Sequence, residues 1–111
     1  MAALLPGTLE MLILRTLDVE RMHGYAIAQH IARVSNNAFL VEKGSLYPAL
    51  ERLQRSGWVT AKWAQSATGR RARYYSITAS GRRALGDQLS AFQETNEAIA
   101  RVLNPELKPR T

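Results

Sequence analysis

The sequence predicts an α+β fold that is mostly α: three helices, a two-stranded hairpin and one long closing helix. Three observations carry this. Apolar residues recur at three- and four-residue spacing from Leu9 to Leu53, the period shortens to two between Trp58 and Ile77, and the helical spacing returns from Leu85 to Leu103. At 111 residues the chain has room for one small core.

The elements follow in order. Thr8 can cap a first helix to about Asp18, with Leu9, Leu12, Ile13, Thr16 and Leu17 inward and Met11 and Leu14 adding apolar surface elsewhere. A helix apolar nearly all round needs more than one packing partner, and a second subunit is one candidate. After a turn at "DVERMHG", a second helix runs from Gly24 to Val34 and packs through Tyr25, Ile27, Ala28 and Ile31. His23 and Gly24 begin it, and "SNNAF" ends it, because Asn and Ser compete with the helical backbone.

The third helix lies in "EKGSLYPALERLQRSGW" and contains Pro48 beside a Leu46, Leu50, Leu53 stripe. Proline is tolerated in a first turn, where its missing N–H would have no helical partner. That reasoning makes Ser45 the N-cap and Pro48 the third helical residue. At about 100° per residue, Gly44, Pro48, Glu51, Arg52 and Arg55 lie away from the leucines, while Tyr47 falls at the border, open to core or ligand.

"WVTAKWAQS" and "RARYYSI" alternate as strands, joined by a turn containing Gly69. Val59, Ala61 and Trp63 share one face. Tyr75 shares parity with Ile77 and reads as core, whereas Tyr74 is free to face a phosphate. Thr78 caps the last helix, which runs to Leu103 and stops at Asn104 and Pro105. The expected division is 1–78 for the helix-and-hairpin domain, 79–104 for the last helix and 105–111 for a loose tail.

Charge narrows the partner. Net charge is +6, but Lys43 to Arg83 holds nine Lys or Arg against one acid, Glu51. The basic character therefore belongs to one segment, which suits a polyanion such as nucleic acid. The start "MAALLPGTLE" has no signal-peptide pattern, no run is long enough to span a bilayer, and cysteine is absent, so a cytoplasmic protein without membrane contact is expected. His23 and His30 have no convergent acids, no nucleophile is paired with a base, and no phosphate loop is present. These patterns imply no enzyme, no metal and no cofactor.

A helix pair, a basic-faced third helix and a hairpin carrying Arg70, Arg71 and Arg73 make the order of a winged helix-turn-helix (helix-turn-helix plus a β-hairpin wing). There the third helix enters the major groove and the wing touches the flanking backbone. Four blocks add a resemblance: "LLPGTLEMLILRTL", "MHGYAIAQHI", "VEKGSLYPALERLQRSGWV" and "RRARYYSITASGRR" resemble, in order and spacing, the short form of the PadR-like winged-helix transcriptional regulators. The resemblance implies a homodimeric repressor on a pseudo-palindromic operator in double-stranded DNA. It implies DNA contacts from Lys43, Gly44, Ser45, Tyr47, Pro48, Arg52, Arg70, Arg71 and Arg73. It also implies, for some members, release by a small aromatic ligand held near the dimer interface.

Dimerisation has its own signal. Leu85, Leu89, Phe92, Asn96, Ile99 and Leu103 are spaced 4, 3, 4, 3, 4, a heptad seam with one polar member. Asn96 either fixes register there or interrupts a stripe that packs intramolecularly. With Leu9 and Leu12 of the first helix, these residues form the expected dimer interface. The alternative function is a protein-interaction module or small-molecule sensor whose basic face takes an acidic protein.

Overall fold

The computed structural model describes residues 7–104 and Glu106. The expected tail, 105–111, lies outside the described residues except for Glu106, as do residues 4–6 of the first matching block. Seven elements follow in order: α1 (Thr8–Val19), β1 (Met22–His23), α2 (Gly24–Val34), α3 (Lys43–Arg55), β2 (Val59–Gln65), β3 (Arg71–Ile77) and α4 (Ala79–Leu103). Only β1 was not expected. It pairs antiparallel with β3, Met22 opposite Tyr75 and His23 opposite Tyr74, so the sheet order is β1-β3-β2. Two residues are too few to show a period.

Helix α1 is central and packs on α2, α3, α4 and β3. Leu9, Met11, Ile13, Leu14, Thr16 and Leu17 are all buried, so the chain's own core claims most of the helix's apolar surface. Each such aliphatic side chain contributes about 1.5–3 kcal/mol on burial. The Thr16 hydroxyl donates to the Leu12 carbonyl at 2.8 Å, which satisfies the buried polar atom. Thr8 is not the cap. Gly7, at φ 84°, holds that position without a side-chain bond, and Thr8 is the first helical residue.

His23 caps α2, its Nδ1 accepting from the Ala26 N–H at 3.1 Å. Ile27 and Ile31 are buried, but Tyr25 is 63% exposed. The reason is angular: Tyr25 lies roughly 160° round the helix from Ile27.

Helix α3 starts two residues before the expected cap. Glu42 is extended, and its carbonyl accepts from the Ser45 and Leu46 N–H groups at 3.0 and 2.9 Å. Ser45 is therefore the third helical residue and Pro48 the sixth. Pro48 forfeits a bond to the Gly44 carbonyl, and because both residues are exposed, water can meet that carbonyl. Leu46, Ala49, Leu50 and Leu53 are buried as the stripe requires.

The β2–β3 ribbon runs in register from Val59 opposite Ile77 to Gln65 opposite Arg71. Val59, Tyr75 and Ile77 are buried at its base. Its tip turns at Gly69, φ 83°, closed by Gly69 N–H to Ser66 O at 2.9 Å and Ser66 N–H to Arg70 O at 2.7 Å. Thr78 caps α4 by accepting from Gly81 N–H at 3.0 Å, while its hydroxyl donates to Gly57 O at 2.7 Å. Gly81 and Leu85 are buried, and Leu85 joins the core that α1 centres, so the first turns of α4 pack against α1. From Ser90 onward every residue of α4 is exposed.

Candidate nucleic-acid interface

An open cleft of about 620 Å³ lies between the wing and the starts of α2 and α3. Alternation puts Arg71, Arg73 and Tyr75 on one face of β3, and the register sets Trp63 across from Arg73 on the same face. That face opens into the cleft. Tyr47 forms the opposite wall with Gly24 and Tyr25. Gly24 is required for this approach, since a Cβ there would stand 2.7 Å from the Tyr47 hydroxyl oxygen. Tyr47 is thus neither core nor free: it is 43% exposed, with its ring edge resting on the α2 backbone.

Lys43, Gly44, Ser45 and Pro48 are exposed along the beginning of α3, and Arg70, Arg71 and Arg73 are exposed on the wing. Lys43, Arg70, Arg71 and Arg73 form no ion pair among the described residues, so their charge is available to an anion. Glu51 would oppose that charge, but Arg55 donates to it at 2.8 Å and holds its carboxyl below the usual range, first by this bond and then by charge. Burial pushes the Tyr75 phenol upward, and the charge of Arg73 offsets part of that shift.

Two of the expected DNA residues, Arg52 and Tyr74, contact other parts of the chain. Arg52 turns away from the cleft to α1, where its Nε donates to Glu10 Oε1 at 2.9 Å and its terminal nitrogen meets the same oxygen. Arg52 and Tyr47 lie about 140° apart around α3, one on each flank of the leucine stripe. Tyr74 lies on the other face of the wing, edge-on to His23 at 5.5 Å between centroids, with the Arg21 guanidinium 5.1 Å from its ring. It is half-buried there, away from Arg71 and Arg73.

Trp63 and Tyr25 are cleft residues that the sequence does not mark as such: Tyr25 reads as a packing residue of the second helix and Trp63 only as sharing a strand face with Val59 and Ala61. For Trp63 the signal was distance: it stands four residues beyond buried Val59, or roughly 13 Å along a strand.

The expected dimer residues divide into two groups. Leu9 and Leu85 are buried in the chain's own core, at 8% and 4% exposure, and Leu12 and Leu89 pack partly against that core. The seam left open is Phe92, Asn96, Ile99 and Leu103, with Val102 beside it. A groove of about 250 Å³ joins it between Thr8, Met11, Gln88 and Phe92. Gln88 lines this groove, while its Oε1 is buried inside the chain without a hydrogen-bond partner among the described residues.

Three helices, a basic wing and a cleft between wing and third helix define a winged helix-turn-helix protein of the DNA-binding class. The chain belongs to the PadR-like family of transcriptional regulators, whose sequence pattern matches residues 13–87. An uncharacterized protein X of Lysinibacillus sphaericus is 30% identical over 93 residues, covering 84% of this chain and 85% of that protein. The fold is shared with a PadR family transcriptional regulator from Eggerthella lenta, at TM-score 0.77 and 28% identity over 88% of this chain and 83% of that one. It is likewise shared with a PadR-like transcriptional regulator from Bacillus cereus, at TM-score 0.77 and 26% identity over 88% and 93% of the two chains. No helix among the described residues is long and apolar enough to cross a membrane.

Proposed function

We propose that the protein is a cytoplasmic homodimeric repressor that binds an inverted-repeat operator through the start of α3 and the cleft face of the wing. The observation that carries this is a group of cations with no ion pair among the described residues: Arg70, Arg71 and Arg73 line a cleft that Tyr47 of α3 walls, and Lys43 is exposed at the start of the same helix. Lys43, Gly44, Ser45, Tyr47 and Pro48 would present the helix start to base edges and phosphates. Arg70, Arg71 and Arg73 would follow the flanking backbone. Arg52 and Tyr74 are left out of the contact set because Arg52 already pairs with Glu10 on α1 and Tyr74 packs with His23 and Arg21 on the face of β3 opposite Arg71 and Arg73.

The exposed half of α4 supports the dimer. A run with Phe92, Ile99, Val102 and Leu103 exposed is stabilised when a second copy covers it. Two-fold symmetry would then set the recognition helices roughly 34–36 Å apart, one turn of DNA. Release by a small aromatic effector rests on the family resemblance alone, and ligand-driven dissociation of a labelled duplex tests it.

Selection of duplexes from a random library tests the whole reading. Enriched sequences should be inverted repeats, with an affinity that falls steeply as salt rises. Enrichment of unrelated sequences, or binding insensitive to salt, would refute it. Sedimentation at micromolar concentration should show a dimer that Ile99→Asp converts to monomer.

A further inference from the structure

We propose that Trp63 is a positioning residue: its indole face holds the Arg71 guanidinium in the cleft-side geometry from which Arg71 meets DNA, and this rests on the DNA-binding reading above. Trp63 stands on the wing beyond the core and is 61% exposed, so burial does not explain a large aromatic ring there. The Arg71 guanidinium lies over that ring, 5.4 Å from its centroid. No acid among the described residues pairs with Arg71, so the indole face is its observed partner.

The physical effect is one of order. A free arginine side chain samples many rotamers, and part of that entropy is lost when it grips a phosphate or base. A ring quadrupole that holds the planar cation beforehand removes part of that cost and leaves the N–H edge outward for an anion. An acidic partner would hold the arginine equally well but would cancel its charge. Arg70, next in the chain, has no such ring and serves as the internal comparison.

The test is a double-mutant cycle on a duplex selected as above, with Trp63→Leu, Arg71→Ala and the double variant of the full chain, each checked for an unchanged melting temperature. Trp63→Leu should weaken binding roughly two- to fivefold, as expected for an exposed cation–π pair. It should leave the salt slope unaltered, because the charge remains. Arg71→Ala should lower that slope by about 0.9. In the Arg71→Ala background, Trp63→Leu should have no further effect, and Trp63→Phe should recover part of the loss in the parent.

A second readout needs no DNA. The Arg71 side-chain proton resonances of the free protein should be shifted upfield by the ring and return to ordinary arginine positions in Trp63→Leu. Equal losses from Trp63→Leu with and without Arg71 would make Trp63 a direct contact and overturn the proposal. Arg71 resonances that do not respond to Trp63→Leu would overturn it too. Failure of the parent protein to bind any duplex would instead overturn the DNA-binding reading and with it the use of the pair, while the resonances would still report whether the pair exists.

Discussion

Replacing Gly24 by alanine should damage DNA binding while leaving the fold standing. The new Cβ would lie 2.7 Å from the Tyr47 hydroxyl oxygen and 3.0 Å from Cε1 and Cζ, where ordinary contacts begin near 3.4 Å. Those atoms are the far end of a side chain that is 43% exposed, so the ring can swing outward by roughly 0.5–1 Å into the cleft at little cost. Alanine also returns up to about 1 kcal/mol of helix propensity at the start of α2. Stability should therefore change by less than about 1 kcal/mol. The cleft wall, however, is displaced, and a shift of about 1–2 kcal/mol in binding means a loss of roughly 5–30-fold. Fluorescence anisotropy with a selected duplex and thermal melting of the same samples check both parts. Tyr47→Ala should lose affinity comparably, and the double variant should lose little more than either. Full affinity in Gly24→Ala, or its outright unfolding, would refute the reasoning.

Gly81→Ala and Gly86→Ala should move stability in opposite directions at equal protein concentration. At Gly81 a Cβ would sit 2.2 Å from the Trp58 carbonyl oxygen, a backbone atom that cannot yield, so overpacking of about 1–3 kcal/mol outweighs the helix gain and the melting temperature falls. At Gly86 nothing lies within 4 Å, and alanine should raise stability by up to about 1 kcal/mol. Arg52→Ala should lower urea stability by no more than about 1 kcal/mol, through loss of the Glu10 contact, and change DNA affinity less than about threefold. Because burial raises the Tyr75 phenol above its ordinary value of about 10, the stability it contributes is full below that pH and is lost as pH climbs through the folded value. Urea midpoints of Tyr75→Phe should therefore fall less than those of the parent above pH 10.

Periodicity revealed those parts of the fold that depend on one element at a time. The leucine stripe of α3, the alternation of β3 and the Thr78 cap are local patterns, and each appears in the structure. What the sequence concealed depends on two elements meeting. Arg52 reads as a free basic residue until α1 brings Glu10 beside it. Tyr74 reads as solvent-facing until β1, too short to detect, sets His23 against it. Leu85 and Leu89 open a heptad that reads as one continuous seam, yet α1 packs on these first members and only the stretch from Phe92 onward stays open. Proline misled differently: the cap rule assumed it must sit in the first turn, but an exposed face can solvate the forfeited Gly44 carbonyl, so α3 begins earlier.

Amide-resolved NMR of the full chain titrated with a selected duplex tests the central claim most directly. The account predicts the largest shifts at Lys43 to Tyr47 and Gly69 to Arg73, with the exposed half of α4 unmoved. Shifts concentrated instead around Arg21 and Tyr74, or along α4, with the cleft silent, would contradict it.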